Sequence, residues 1–173
     1  DTDKEVRAAF LRDLCLNAEN RNIDPQGIWL RGARVTETSD LNGAIMGRSL
    51  WFADCTLMGR PDFTEAKGKS LGFAKCILPG FDADRLALEG SLTFIGATVI
   101  GETRLLGAKV GRQIECSEAS FTNKGGKAFS ADDLEVGGDL FFRGATAIGE
   151  TRLLGVKVGG QVDCRCAPKE QIA

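Results

Sequence analysis

The feature that most constrains this chain is a tandem duplication at an offset of 48 residues. Gly96-Ala97-Thr98-Val99-Ile100-Gly101-Glu102-Thr103-Arg104-Leu105-Leu106-Gly107 recurs as Gly144-Ala145-Thr146-Ala147-Ile148-Gly149-Glu150-Thr151-Arg152-Leu153-Leu154-Gly155, and the match runs on to Cys116 and Cys164. Phe81-Asp82-Ala83-Asp84-Arg85-Leu86 recurs as Phe129-Ser130-Ala131-Asp132-Asp133-Leu134 at the same offset. Self-similarity of this kind means stacked units that share a continuous core.

A finer period lies inside the duplication. Small residues recur at Ala33, Ala53, Ala74, Ala97, Ala119, Ala145 and Ala167, with Ala44, Ala66, Ala108, Ala131 and Val156 between them. The spacing predicts coils of about twenty-two residues whose phase slips near Ala119. Alternating residues suit short strands, and glycine, at 22 residues, suits tight corners. One such coil buries too few side chains to offset its backbone entropy, so it needs neighbours above and below. A helical repeat is excluded by glycines every few residues, each costing about 1 kcal/mol inside a helix. A leucine-rich repeat lacks its asparagine ladder here. The predicted fold class is therefore all-β, a β-helix closed at its N-terminus by an α-helical cap.

That cap occupies 1–27 and the solenoid 28–173 as one continuous domain. Thr2-Asp3-Lys4-Glu5 fits a capping box, and Val6, Phe10, Leu14 and Ala18 then share one helical face. Asn20 to Gly27, with Pro25, reads as helix stop and turn. No comparable cap follows Pro168, which suggests a fragment of a longer solenoid or an end that meets another subunit through an exposed edge.

The residues also carry a family resemblance. Ala53-Asp54-Cys55-Thr56-Leu57 and Ala74-Lys75-Cys76-Ile77-Leu78 look like single pentapeptides, and the chain resembles bacterial pentapeptide-repeat and pentapeptide-like solenoid proteins over residues 28–167. The resemblance implies a right-handed, quadrilateral β-helix with central and preceding repeat positions turned inward. The chain departs from the family in its coils, which exceed twenty residues, and in a broken five-residue period. Members range from DNA mimics that protect gyrase to proteins of unknown role, so the resemblance bears on fold more than function.

Chemistry is sparse. Histidine is absent, which removes the usual neutral-pH base and the commonest metal ligand. Cys55, Cys76, Cys116 and Cys164 read as small buried hydrophobes on successive coils; neighbouring coils would hold two thiols at a disulfide-compatible spacing, but the context argues for reduced, cytosolic thiols. Cys164-Arg165-Cys166 is a C-x-C pair without a second ligand pair. Gly68-Lys69-Ser70 imitates the end of a phosphate loop, but Phe63 stands where that loop needs glycine. Asn123-Lys124-Gly125-Gly126-Lys127 reads as a glycine-rich corner and a small insertion. Glu102 and Glu150, Asp84 and Asp132 repeat with the coils and are expected to line a solvated face or pair with Arg104 and Arg152. Trp29 and Trp51 are read as packing near the cap, or else as a partner anchor. No catalytic, cofactor or metal-binding residue is assigned.

With 22 basic and 24 acidic residues interleaved, no nucleic-acid partner is expected. No membrane segment or leader is visible, which reads as cytoplasmic. The functional expectation is a non-enzymatic scaffold or protein-interaction module of unknown partner, able to form a homodimer through its C-terminal end. A DNA-mimicking topoisomerase binder and a carbohydrate-active β-helix are the alternatives.

Overall fold

A computed structural model describes residues 4–17 and 23–165. The chain winds into a parallel β-solenoid of about six turns. A full coil carries four short strands, as in Leu92–Thr93, Thr98–Ile100, Thr103–Arg104 and Lys109–Val110. Strands of successive coils pair in parallel to build sheets of nine, five and seven strands. The nine-stranded sheet turns a corner because Ser120–Ser130 and Thr146–Arg152 run through two faces. Pairing along the seven-stranded sheet keeps one register: Leu50 faces Leu71, Leu71 faces Leu92, Leu92 faces Ile114 and Ile114 faces Leu140.

Corners repeat as faithfully as strands. Gly32, Asp54, Lys75, Gly96, Glu118 and Gly144 occupy one corner with φ between 53° and 66°. Left-handed backbone is natural for glycine and costs other residues about 1–2 kcal/mol, so Asp54, Lys75 and Glu118 are held there by the coils on either side. Residues 123–126 account for the slip after Ala119. Ala97 lies 22 positions before Ala119, Ala119 lies 26 before Ala145, and the register breaks between Thr122 and Lys127.

The small-residue column differs from the expected one in its phase. Strand register stacks Ala33, Cys55, Cys76, Ala97, Ala119 and Ala145. Ala53 and Ala74 instead face one another on the outside of the corner and are half-buried. Asp54, which precedes the inward Cys55, is exposed rather than inward. Cysteine and alanine are both small enough for the column, so the spacing alone could not separate the two phases. Cys116 lies elsewhere, in the register of Phe52, Phe73, Phe94 and Phe142.

Why does the sequence repeat every two coils rather than every one? Inward positions on adjoining faces compensate in volume. One coil uses Phe81, Ala83 and Leu86, the next Thr103, Leu105 and Ala108, and the next Phe129, Ala131 and Leu134, all buried. Where Cys116 replaces a phenylalanine, Phe121 fills the tube and meets Phe94 edge-on at 6.0 Å. Phe52, Phe73 and Phe94 otherwise stack with centroids 5.0 and 5.6 Å apart. A narrow tube at crystal-like density admits one large side chain per layer at each place.

The N-terminal expectation needs correction. Lys4–Arg7 is a strand, paired in parallel with Ala33–Thr36, and the helix begins only at Ala8 and ends at Leu16. Glu5 lies within that strand, so no capping box forms, and Arg7 at the N-cap makes no side-chain cap bond. The helix buries Ala8, Leu11 and Cys15, while Phe10 is exposed. Thr2 and Ala18 lie outside the described residues. The turn before the first coil holds: Asp24 accepts from the amides of Gln26 and Gly27, and Gly27 has φ 115° where a Cβ would strike Ser49.

The volume rule predicts that Ala83→Leu overpacks its layer beside Phe81 and destabilises by about 1–3 kcal/mol. Adding Phe81→Thr, which copies the Thr103 and Leu105 arrangement, should recover much of that loss. Urea unfolding of both variants measures the coupling; strictly additive losses would contradict it.

Candidate functional site

The outer surface is organised by ion pairs between coils. Arg60 reaches Asp82 at 2.5 Å, Lys69 reaches Glu89 at 2.5 Å, Arg85 reaches Glu65 at 2.5 Å and Arg104 reaches Asp84 at 2.6 Å. Glu135 lies between Lys109 at 3.1 Å and Lys157 at 3.2 Å. Arg152 meets Asp132 at 2.6 Å, so both repeated aspartates pair as the sequence suggests. Exposed pairs like these contribute little individually, and they neutralise the carboxylates that acid–base catalysis would use. Glu102 accepts from Ser130 Oγ at 2.8 Å, while Glu150 lies in the exposed last coil.

Asp40, Asp62 and Asp82 stack on consecutive coils, but the column continues as Arg104, Ser130 and Arg152. The acidic run is thus short. Burial raises the Asp62 carboxyl, yet hydrogen bonds from Thr64 and Asn42 and the nearby Arg60 outweigh it, and the net pKa is lowered. Gly68-Lys69-Ser70 forms a coil corner: Lys69 is engaged by Glu89, and Ser70 Oγ accepts from the Ser91 amide at 3.1 Å. The run 123–127 is part of the strand Ser120–Ser130, with Asn123 Nδ2 donating to the Lys127 carbonyl at 2.9 Å.

The thiols fall into distinct surroundings. Cys15 is pushed up to about 12 by burial under the helix. Cys116 is raised by burial and then by Glu115. Cys55 and Cys76 adjoin on neighbouring coils. A hydrogen bond with Cys76 lowers Cys55 to about 6 against its burial, and the same bond, followed by burial, raises Cys76. Cys164 is exposed, and Cys166 lies outside the described residues. Among the described residues no group of three or more metal-ligating side chains converges.

Trp29 and Trp51 stack at 5.4 Å with planes 19° apart. Trp51 lies over Gly72, where any Cβ would collide with its ring, so it packs on the wall; Trp29, its register partner on the preceding coil, is 65% exposed. A groove of about 700 Å³ runs along the outer five-stranded sheet past Lys67, Lys109, Glu135 and Lys157. It is shallow, and its charged walls are mostly occupied with one another. No described helix is long and apolar enough to cross a membrane.

The last described coil differs from the others in its exposure, in line with the uncapped end expected from the sequence. Leu153 and Val162 are 39% and 57% exposed, whereas their counterparts Leu105 and Ile114 are fully buried. Among the described residues, no strand pairs with the far side of Lys157–Val158 or Val162–Asp163. No protein-family model, curated protein or solved structure matches the chain.

If the bonds to Asp62 matter as placed, its lowered pKa adds stability that is present above the unfolded carboxyl value, about 4, and is lost as pH falls through the folded one. Melting temperatures from pH 7 to pH 2 should therefore fall less steeply for Asp62→Asn than for the unaltered chain. An equal or steeper fall would contradict the assignment.

Proposed function

We propose that this chain is a non-catalytic solenoid scaffold that associates through its last described coil. The observation that carries the reading is that the first described coil is covered and the last described one is not. The N-terminal end is covered by the helix Ala8–Leu16, through Ala8, Leu11 and Cys15. At the other, inward positions of the last described coil are uncovered. An unpaired strand edge with apolar side chains beside it is a template for another β-edge. A second copy of the chain meeting this coil edge to edge would cover Leu153 and Val162, and the helix over the other end disfavours further stacking there. Neutralised carboxylates and the absence of histidine support a role without catalysis.

The pentapeptide-like reading belongs here as well. Four short strands per coil and a small-residue column beside one corner support it; coil steps of 21, 22 and 26 residues set the chain apart from a regular twenty-residue repeat. A topoisomerase-binding DNA mimic finds less support, since the aspartate stack gives way to Arg104 and Arg152.

Multi-angle light scattering over a hundredfold concentration range should reveal a reversible dimer of the 173-residue chain. Val162→Lys combined with Leu153→Lys should shift it to monomer without altering the melting curve of the monomeric form. A strict monomer at every concentration would refute association through this end.

A further inference from the structure

We propose that Cys55 and Cys76 are a cross-coil dithiol that oxidises to a disulfide, stapling two neighbouring coils near the capped end. The inference is independent of end-to-end association. Thr56 pairs with Ile77, which sets Cys55 directly beside Cys76, and the Ile77 amide donates to the Cys55 carbonyl at 2.9 Å. Paired strands lie about 4.8 Å apart. That separation falls within the Cα range of about 4.4–6.8 Å that disulfides span.

The two sulfurs also sit alike. Cys55 Sγ lies 3.3 Å from the Ala53 carbonyl oxygen, and Cys76 Sγ lies 3.4 Å from that of Ala74, so both thiols lean toward the same corner. Outside that corner is a hollow of about 310 Å³ edged by Trp29, Arg31, Ala53, Asp54, Ala74 and Lys75. The wall there is one backbone thick and bears two alanines, and both cysteines are 1% exposed, so the oxidant reaches them when this corner opens locally. No other described cysteine has this arrangement: Cys116 stands between Phe94 and Phe142 in its column. A disulfide is neutral, whereas a monovalent soft cation held by two thiolates would leave a negative charge in an apolar core beside carbonyl oxygens, and a divalent one would lack further ligands among the described residues.

The reaction is thiol–disulfide exchange with a small-molecule disulfide. The Cys55 thiolate attacks one sulfur of the oxidant and expels a thiolate, leaving a mixed disulfide. The Cys76 thiolate then attacks the Cys55 sulfur and expels the second thiolate. Two electrons pass from the cysteine pair to the oxidant, and the two thiol protons leave to solvent or the released thiolates. Exchange needs a thiolate, and the interaction within the pair favours it at Cys55 over Cys76, so Cys55 attacks first.

The full chain is incubated with glutathione disulfide, alkylated in denaturant and mapped by mass spectrometry. The expected product is a peptide pair joined through Cys55 and Cys76, two hydrogens lighter than the separate thiols and released by reductant. The oxidised chain should melt several degrees higher, since the bond closes a loop in the unfolded state. Cys55→Ala and Cys76→Ala should each abolish the gain while keeping the melting temperature of the reduced chain, because alanine fills this position in the adjoining coils. Recovery of both residues as alkylated thiols, as separate glutathione adducts or in bonds to other cysteines would overturn the proposal. The map of the unaltered chain decides the question even if a variant fails to fold.

Discussion

In-register hydrogen bonding between neighbouring coils is the constraint on which the rest of this structure depends. The Lys75 amide donates to Ile95, that of Phe94 to Glu115 and that of Cys116 to Phe141, each one coil onward. Once two coils are joined this way, equivalent residues must lie above one another, and every property of a position is passed along its column. Corners acquire a shared left-handed residue, inward sites a shared size limit and outward sites a charge that its neighbour can neutralise. The ion pairs Arg104–Asp84 and Lys157–Glu135 are consequences of stacking, and their modest individual contributions do not explain it.

Packing adds a second layer of order. A strict one-coil repeat would place a phenylalanine at every level of the Phe81 column and overfill the tube. Alternation with Thr103 relieves this and doubles the sequence period. The same economy of volume admits Cys55 and Cys76 where alanine otherwise stands, and so brings two thiols together. Sites on such a fold arise from departures within a column, because a residue that recurs on every coil is serving the stack.

The sequence made the tube legible because registered stacking imprints its period on the chain. Ala97 and Ala145 do occupy one column, and Arg104 and Arg152 do pair with Asp84 and Asp132. The strand Lys4–Arg7 was not legible: its single apolar residue, Val6, gives no alternation, and its partner Ala33–Thr36 is distant in sequence. Local propensity favoured helix there, and tertiary pairing prevailed. The phase at Ala53 and Ala74 was ambiguous because cysteine and alanine are interchangeable in size. The uncapped last coil was expected from the lack of a second cap, but which inward residues it exposes was not: Leu153 and Leu105 sit in identical local sequence and differ in what lies above them.

Deleting one complete coil, residues 92–113, tests the dependence on register most directly. It joins Ser91 to Ile114 and lets Leu71 stack on Ile114, so the shortened chain should keep a β-rich circular-dichroism spectrum and unfold in a single cooperative transition. Removing only residues 92–102 throws every later column out of phase and should abolish that transition. Equal behaviour of the two deletions, whether both fold or both fail, would contradict the account.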